Sequence, residues 1–186
     1  MKTNKIILFA LVAAGMMGGL AAMPAMAAGG DGTLNFTGSV VDAACTVAPD
    51  SKNMTVDFGT IGLAAFLNST YPYTSNSKTI TINLLDCPAT ISSATLQITG
   101  NSVAVKNIGN GLATDTGAGA AKGVAIIFGT VDSGFYITVN SPGRTYNISE
   151  GDNKLQFIGS VQTINGSGNV TAGTVSATAQ YNIVYP

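Results

Sequence analysis

The closing stretch, Gly173-Thr-Val-Ser-Ala-Thr-Ala-Gln-Tyr-Asn-Ile-Val-Tyr-Pro186, constrains this chain more than any other. Val175, Ala177, Ala179, Tyr181, Ile183 and Tyr185 alternate with Ser176, Thr178, Gln180, Asn182 and the apolar Val184. A period of two predicts a long, half-buried β-strand over Thr174–Tyr185. It is expected to be the chain's last strand, with no later segment to cover its free side. An uncovered edge strand of this length invites aggregation. A chain that keeps one is expected to pair it with another strand.

A second stretch supplies a candidate partner. In Gly32-Thr-Leu-Asn-Phe-Thr-Gly-Ser-Val40, the residues Gly32, Leu34, Phe36, Gly38 and Val40 share one face, and Thr33, Asn35, Thr37 and Ser39 share the other. The flexible run Ala28-Gly-Gly-Asp31 precedes it. One molecule is expected to lend this strand to the next. The competing reading makes it the chain's own first strand.

Residues 1–27 read as a signal peptide. Lys2 and Lys5 form a basic start, Ile6–Leu20 is apolar, and Ala25-Met-Ala27 fits a small-x-small cleavage site. Gly15, Gly18 and Gly19 interrupt the run, it ends at Pro24, and no basic flank follows, which argues against a retained membrane anchor. Cleavage leaves residues 28–186, the size of one domain. They divide into an N-terminal extension, 28–40, and a folded domain, 41–186. Eight basic groups face nine acidic ones, and the signal takes two of the lysines. Nothing in that balance attracts nucleic acid. Charged residues make up only 9 % of the chain, so its surface must be Thr, Ser, Asn and Gly.

Strand-like segments recur throughout: Ser39–Val47, Met54–Phe58, Lys78–Leu85, Ala94–Thr99, Gly123–Gly129, Phe135–Val139 and Lys154–Ile164. Turn signals fall at 107–111, 132–134, 141–143, 151–153 and 165–169. Ile61–Phe66 hints at a helical turn, and the low-complexity run Ala113–Lys122 reads as a mobile loop. Many short strands with Gly-rich turns predict an all-β antiparallel sandwich. Cys45 and Cys87 are the only cysteines. In an exported chain they are expected to pair, closing a loop for which chain entropy gives roughly 4 kcal/mol.

Catalytic chemistry finds no foothold. The chain has no histidine, so no triad and no ordinary zinc site can be assembled. No metal, cofactor or catalytic residue is expected. Asp115-Thr-Gly117 occurs once, whereas an aspartic-protease site needs two such carboxylates. Gly117–Gly123 lacks the strand-loop-helix frame of a dinucleotide loop. The Asn-x-Ser/Thr triplets follow from composition.

Taken together, Gly32–Val47, Asn83-Leu-Leu-Asp-Cys-Pro88, Lys122–Ile126, Leu155–Phe157 and Val170–Tyr181 resemble a known family. The chain is similar to the structural subunits of chaperone–usher pili, the type 1 fimbrial proteins of Gram-negative bacteria. The Gly38–Cys45 spacing, the position of Gly173 and the penultimate Tyr185 carry that resemblance. It implies an incomplete immunoglobulin-like sandwich, completed first by a periplasmic chaperone and then by the next subunit's donated strand. It implies Leu34, Phe36, Gly38 and Val40 as donor residues. Gly173, Tyr181, Ile183 and Tyr185 become the acceptor edge and chaperone-binding surface, with Pro186 as the terminal anchor. The implied partners are other copies of the subunit, the chaperone and an outer-membrane usher. The implied location is the cell surface, reached through the periplasm. A tip or adaptor subunit, or a self-complete secreted sandwich, is the alternative.

Overall fold

The computed structural model describes residues 44–67, 76–132, 134–165 and 169–186. All belong to one compact unit, 40–186. The signal segment and the donor residues Leu34, Phe36, Gly38 and Val40 lie outside the described residues.

Among the described residues, ten strands build two antiparallel sheets. They are β1 (Thr46–Val47), β2 (Lys78–Cys87), β3 (Ser93–Gly100), β4 (Ser102–Val105), β5 (Gly109–Ala113), β6 (Val124–Thr130), β7 (Tyr136–Ile137), β8 (Arg144–Asn147), β9 (Gly151–Thr163) and β10 (Ala179–Val184). The larger sheet runs β1-β2-β9-β6-β5-β4, with β7 also pairing β6. The smaller sheet runs β10-β3-β8. Two single turns of helix, α1 (Pro49–Lys52) and α2 (Ala64–Leu67), complete the elements.

Periodicity explains the layers. In β2, Ile80, Ile82 and Leu84 point inward, and the register sets Ile80 opposite Phe157 and Ile82 opposite Leu155. In β3, Ala94, Leu96 and Ile98 point back at them. Both sheets therefore close on one core, as two half-apolar sheets must. The continuous apolar run in β6 is buried on both faces. Its second face packs against Val105 of β4, with Ile108 and Tyr136 beside it.

The expected strands and the observed ones differ at several places. Met54–Phe58 forms no strand; it follows α1 with no ladder partner among the described residues. The helical turn α1 was not legible in advance, although Pro49 suits a first helical position. Strands β4, β5 and β8 were also missed: β5 takes up most of the expected turn at 107–111, and β8 is Arg-Thr-Tyr-Asn and carries no apolar alternation. Of Thr174–Tyr185, only Ala179–Val184 pairs with β3. The expected turn at 151–153 is the start of β9. The Asn153 side chain closes the preceding bend, accepting from the Ser149 N–H at 3.0 Å and donating to the Ser149 carbonyl at 2.7 Å. The run 113–122 is not a free loop. The Ala121 N–H donates to the Thr174 carbonyl at 2.9 Å, and the Asp115 N–H donates to that of Ser176 at 2.7 Å.

Cys45 and Cys87 are disulfide-bonded, with Cα atoms 4.2 Å apart. Both are buried, and the bond fixes the chain just before β1 to the end of β2. Cys87→Ser should lower unfolding free energy by about 2–5 kcal/mol, read as a lower denaturant midpoint. An unchanged midpoint would show that the bridge is dispensable.

Candidate strand-acceptor groove

A groove opens along the start of β10. One wall is the segment 52–58, which leads away from α1. The other wall is 177–181, which leads into β10. Neither wall has a ladder partner across the groove among the described residues: β10 pairs with β3 on its far side, and 52–58 enters no sheet. The floor is the hydrophobic core itself, with Ile80, Ile98, Leu112, Ile126, Phe128 and Phe157 all reaching the cavity. Its volume is about 390 Å³. Phe128 and Phe157 meet edge to face, with centroids 6.1 Å apart.

The groove continues past Phe58 into a second cavity of about 510 Å³. The walls there are 59–63 and 170–175, and Phe66 of α2 and Val124 of β6 add apolar contact. Gly173 lines this part. A Cβ at Gly173 would fall on backbone atoms of Ala120 and Ala121. Only glycine allows 171–176 to lie this close to 115–122. Further bonds hold that contact: the Thr174 N–H donates to the Gly119 carbonyl at 2.9 Å, and the Lys122 N–H to the Thr171 hydroxyl at 3.1 Å.

One end of the groove is fastened. The Tyr181 hydroxyl donates to the Ser51 carbonyl at 2.6 Å. Ser51 is 1 % exposed, and its Oγ accepts from the Asn83 N–H at 3.0 Å. Beyond that point Ile183 and Tyr185 pack against the core and do not line the groove. The Tyr185 hydroxyl faces the Cys45 backbone without a hydrogen bond of ordinary geometry. Burial pushes the Tyr181 and Tyr185 hydroxyls above the ordinary tyrosine range. Pro186 is exposed, two residues past the end of β10.

Of the terminal residues singled out in the sequence, the structure thus sets Gly173 and Tyr181 on the groove and Ile183, Tyr185 and Pro186 beyond it. The opposite wall, Asn53–Phe58, was not anticipated. Its signal was the short alternation Met54, Val56, Phe58, which the expected strand used in another way. Among the described residues, no group of His, Cys, Asp or Glu could hold a metal ion, and no helix is long and apolar enough to cross a membrane.

These features define a class: an antiparallel β-sandwich with an apolar groove beside its last strand. The profile of the fimbrial protein family matches residues 34–186, and the chain belongs to that family. It is 32 % identical to the major MR/P fimbria protein of Proteus mirabilis, over 100 % of this chain and 99 % of that one. It is also 32 % identical to the probable major fimbrial subunit LpfA of Escherichia coli O157:H7, over 97 % of each. Its fold matches the P pilus rod subunit PapA with a TM-score of 0.62 and 25 % identity, covering 77 % of this chain and all of that one. A chain from a solved chaperone–usher pilus matches at TM-score 0.60 and 26 % identity, covering 84 % and 96 %. The chain is a structural component of a surface fimbria.

Gly173→Val should force 171–176 off 115–122. Overpacking of this kind costs about 1–3 kcal/mol, so the urea midpoint should fall. A wild-type midpoint would mean that the contact yields freely.

Proposed function

We propose that the groove receives residues 32–40 of a neighbouring copy, so that the chain polymerises by strand donation. The observation that carries this reading is the pair of unpaired backbone walls over an apolar floor. A strand laid between them would hydrogen-bond to the walls and cover core side chains at one stroke. Unpaired backbone groups and exposed apolar surface are each costly in water. Leu34, Phe36 and Val40 supply the apolar face, and Gly38 suits a narrow place between the walls. Donor-strand complementation is a known form of β-augmentation, in which main-chain bonds give affinity and alternate side chains give specificity.

The same groove serves a periplasmic chaperone before assembly. That partner lends its own strand and leaves when the next subunit arrives at an outer-membrane usher. Tyr181 and Gly173 contact the lent strand directly. Ile183, Tyr185 and Pro186 extend the surface on which the chaperone settles. Export to the periplasm precedes both steps.

Deleting residues 28–39 tests donation. The shortened subunit should still accept a strand but should have none to give, and should terminate fibres when mixed with intact chain. A synthetic peptide of residues 30–42 should raise its melting temperature, since a ligand of the folded state stabilises by mass action. Failure to fold with chaperone and peptide both present would make 32–40 an integral strand and end the exchange reading.

A further inference from the structure

We propose that the Cys45–Cys87 bridge is a mechanical clamp: it diverts tension entering through the chain's own N-terminal extension into β2, and so keeps that tension off the groove wall 52–58. The inference rests on the strand-donation reading above. In a fibre built that way, every subunit is pulled at two places. Its extension, seated in one neighbour, pulls on the chain ahead of Cys45. The strand seated in its own groove pulls on the walls 52–58 and 177–181.

Sequence order makes the first pull a threat to the second. Between Cys45 and the wall lie only residues 46–51. Within them, β1 pairs with β2 at Thr46↔Leu85 and Val47↔Leu84 and nowhere else. Beyond β1, the Ala48 N–H donates to the Asn83 carbonyl, and the Asn83 N–H to the Ser51 Oγ, each at 3.0 Å. The wall itself enters no sheet, though Val56 and Phe58 pack against the core. A chain drawn out from its N-terminal end would meet these contacts one after another. Contacts broken in turn resist with the strength of one, not of their sum. Once they yield, the next segment drawn out is the wall, and a strand held on it is released.

The bridge changes that path. Cys45 is buried, and its Cα lies 4.2 Å from that of Cys87, the last residue of β2. Tension reaching Cys45 crosses the covalent bond before it reaches Thr46. It enters β2, which is laddered to β9 from Lys78 to Leu84 and again at Cys87. β9 is in turn paired with β6. The pull is thereby shared across the middle of the larger sheet, and residues 46–58 lie outside it. Position is what matters here. A bridge beginning after residue 58 would also stabilise the domain, but it would leave the wall in the line of tension.

The test seats a peptide of residues 32–42 in the groove of the chain 28–186 and pulls on the peptide in an optical trap. The chain is held either at residue 30, ahead of the bridge, or at the exposed Lys154 on β9, beyond it. The readout is the lifetime of the seated peptide at constant tension, because forced separation is governed by an opening rate. In the oxidised wild type, the two holding points should give equal lifetimes. With Cys45→Ser and Cys87→Ser together, holding at residue 30 should shorten the lifetime at least about fivefold relative to Lys154, the factor one ordinary hydrogen bond is worth. A second measurement keeps the bridge intact. Holding the wild type at the exposed Asp50, between the bridge and the wall, should shorten the lifetime by a similar factor. A bridge that only stabilised the domain would shorten both lifetimes of the cysteine variant alike. That result, a wild-type lifetime already shorter at residue 30, or an unchanged lifetime at Asp50 would each overturn the clamp. Failure of the peptide to seat in the wild-type groove would overturn strand acceptance itself, and the clamp with it.

Discussion

An apolar core left open between two backbone segments is the constraint on which the rest of this structure depends. In a closed sandwich, the side chains of Ile80, Ile98, Phe128 and Phe157 would be sealed from both sides. Here they form the floor of a groove. They are buried in the folded chain, at 3–8 % exposure, yet all four reach the cavity. Among the described residues, neither wall has a ladder partner on its groove side. Under the proposed strand donation, such an arrangement suits a fibre in which each subunit seals the next.

The surroundings of the groove keep it open in a defined shape. At one end, α1 is tied to β2 and, through Tyr181, to β10. The disulfide lies just beyond, securing the chain before β1 to the end of β2. Along the second cavity, 171–176 is bonded to 115–122 and sits where only a glycine fits. These contacts hold 51–52 and 171–176 to the larger sheet, while 179–181 belongs to the smaller, so the space between the walls follows from the packing of the sheets. Sparse charge fits the same account, because a Thr-, Ser- and Asn-rich surface can be covered by neighbours at little desolvation cost.

Much of the fold was legible in the sequence because period-two alternation survives wherever one face meets the core. Ile80, Ile82 and Leu84 gave β2, and Tyr181 and Ile183 gave β10, whose inward residues stand opposite Ile98 and Leu96 of β3. The illegible parts were those held by backbone or by single side chains. Nothing in Arg144–Asn147 marks a strand, since β3 recruits it at an exposed edge. The run 113–122 looked free because its restraints come chiefly from 171–176, far along the chain. Met54–Phe58 alternates like a strand yet has no ladder partner among the described residues. The role of Ser51 could not be foreseen at all: its carbonyl matters only because Tyr181 arrives from the far end of the chain.

The central claim is that residues 32–40 of one copy occupy the groove of another. Fibres assembled from a mixture of isotopically heavy and light subunits, carrying a photo-crosslinking amino acid in place of Phe36, test it most directly. Mass spectrometry of the cross-linked peptides then reports both the site and the molecule of origin. The account predicts links from position 36 to residues lining the groove, chiefly 52–58 and 177–181, with heavy–light pairs showing that they join different copies. Links confined to a single copy, or joining position 36 to surfaces away from the groove, would contradict it.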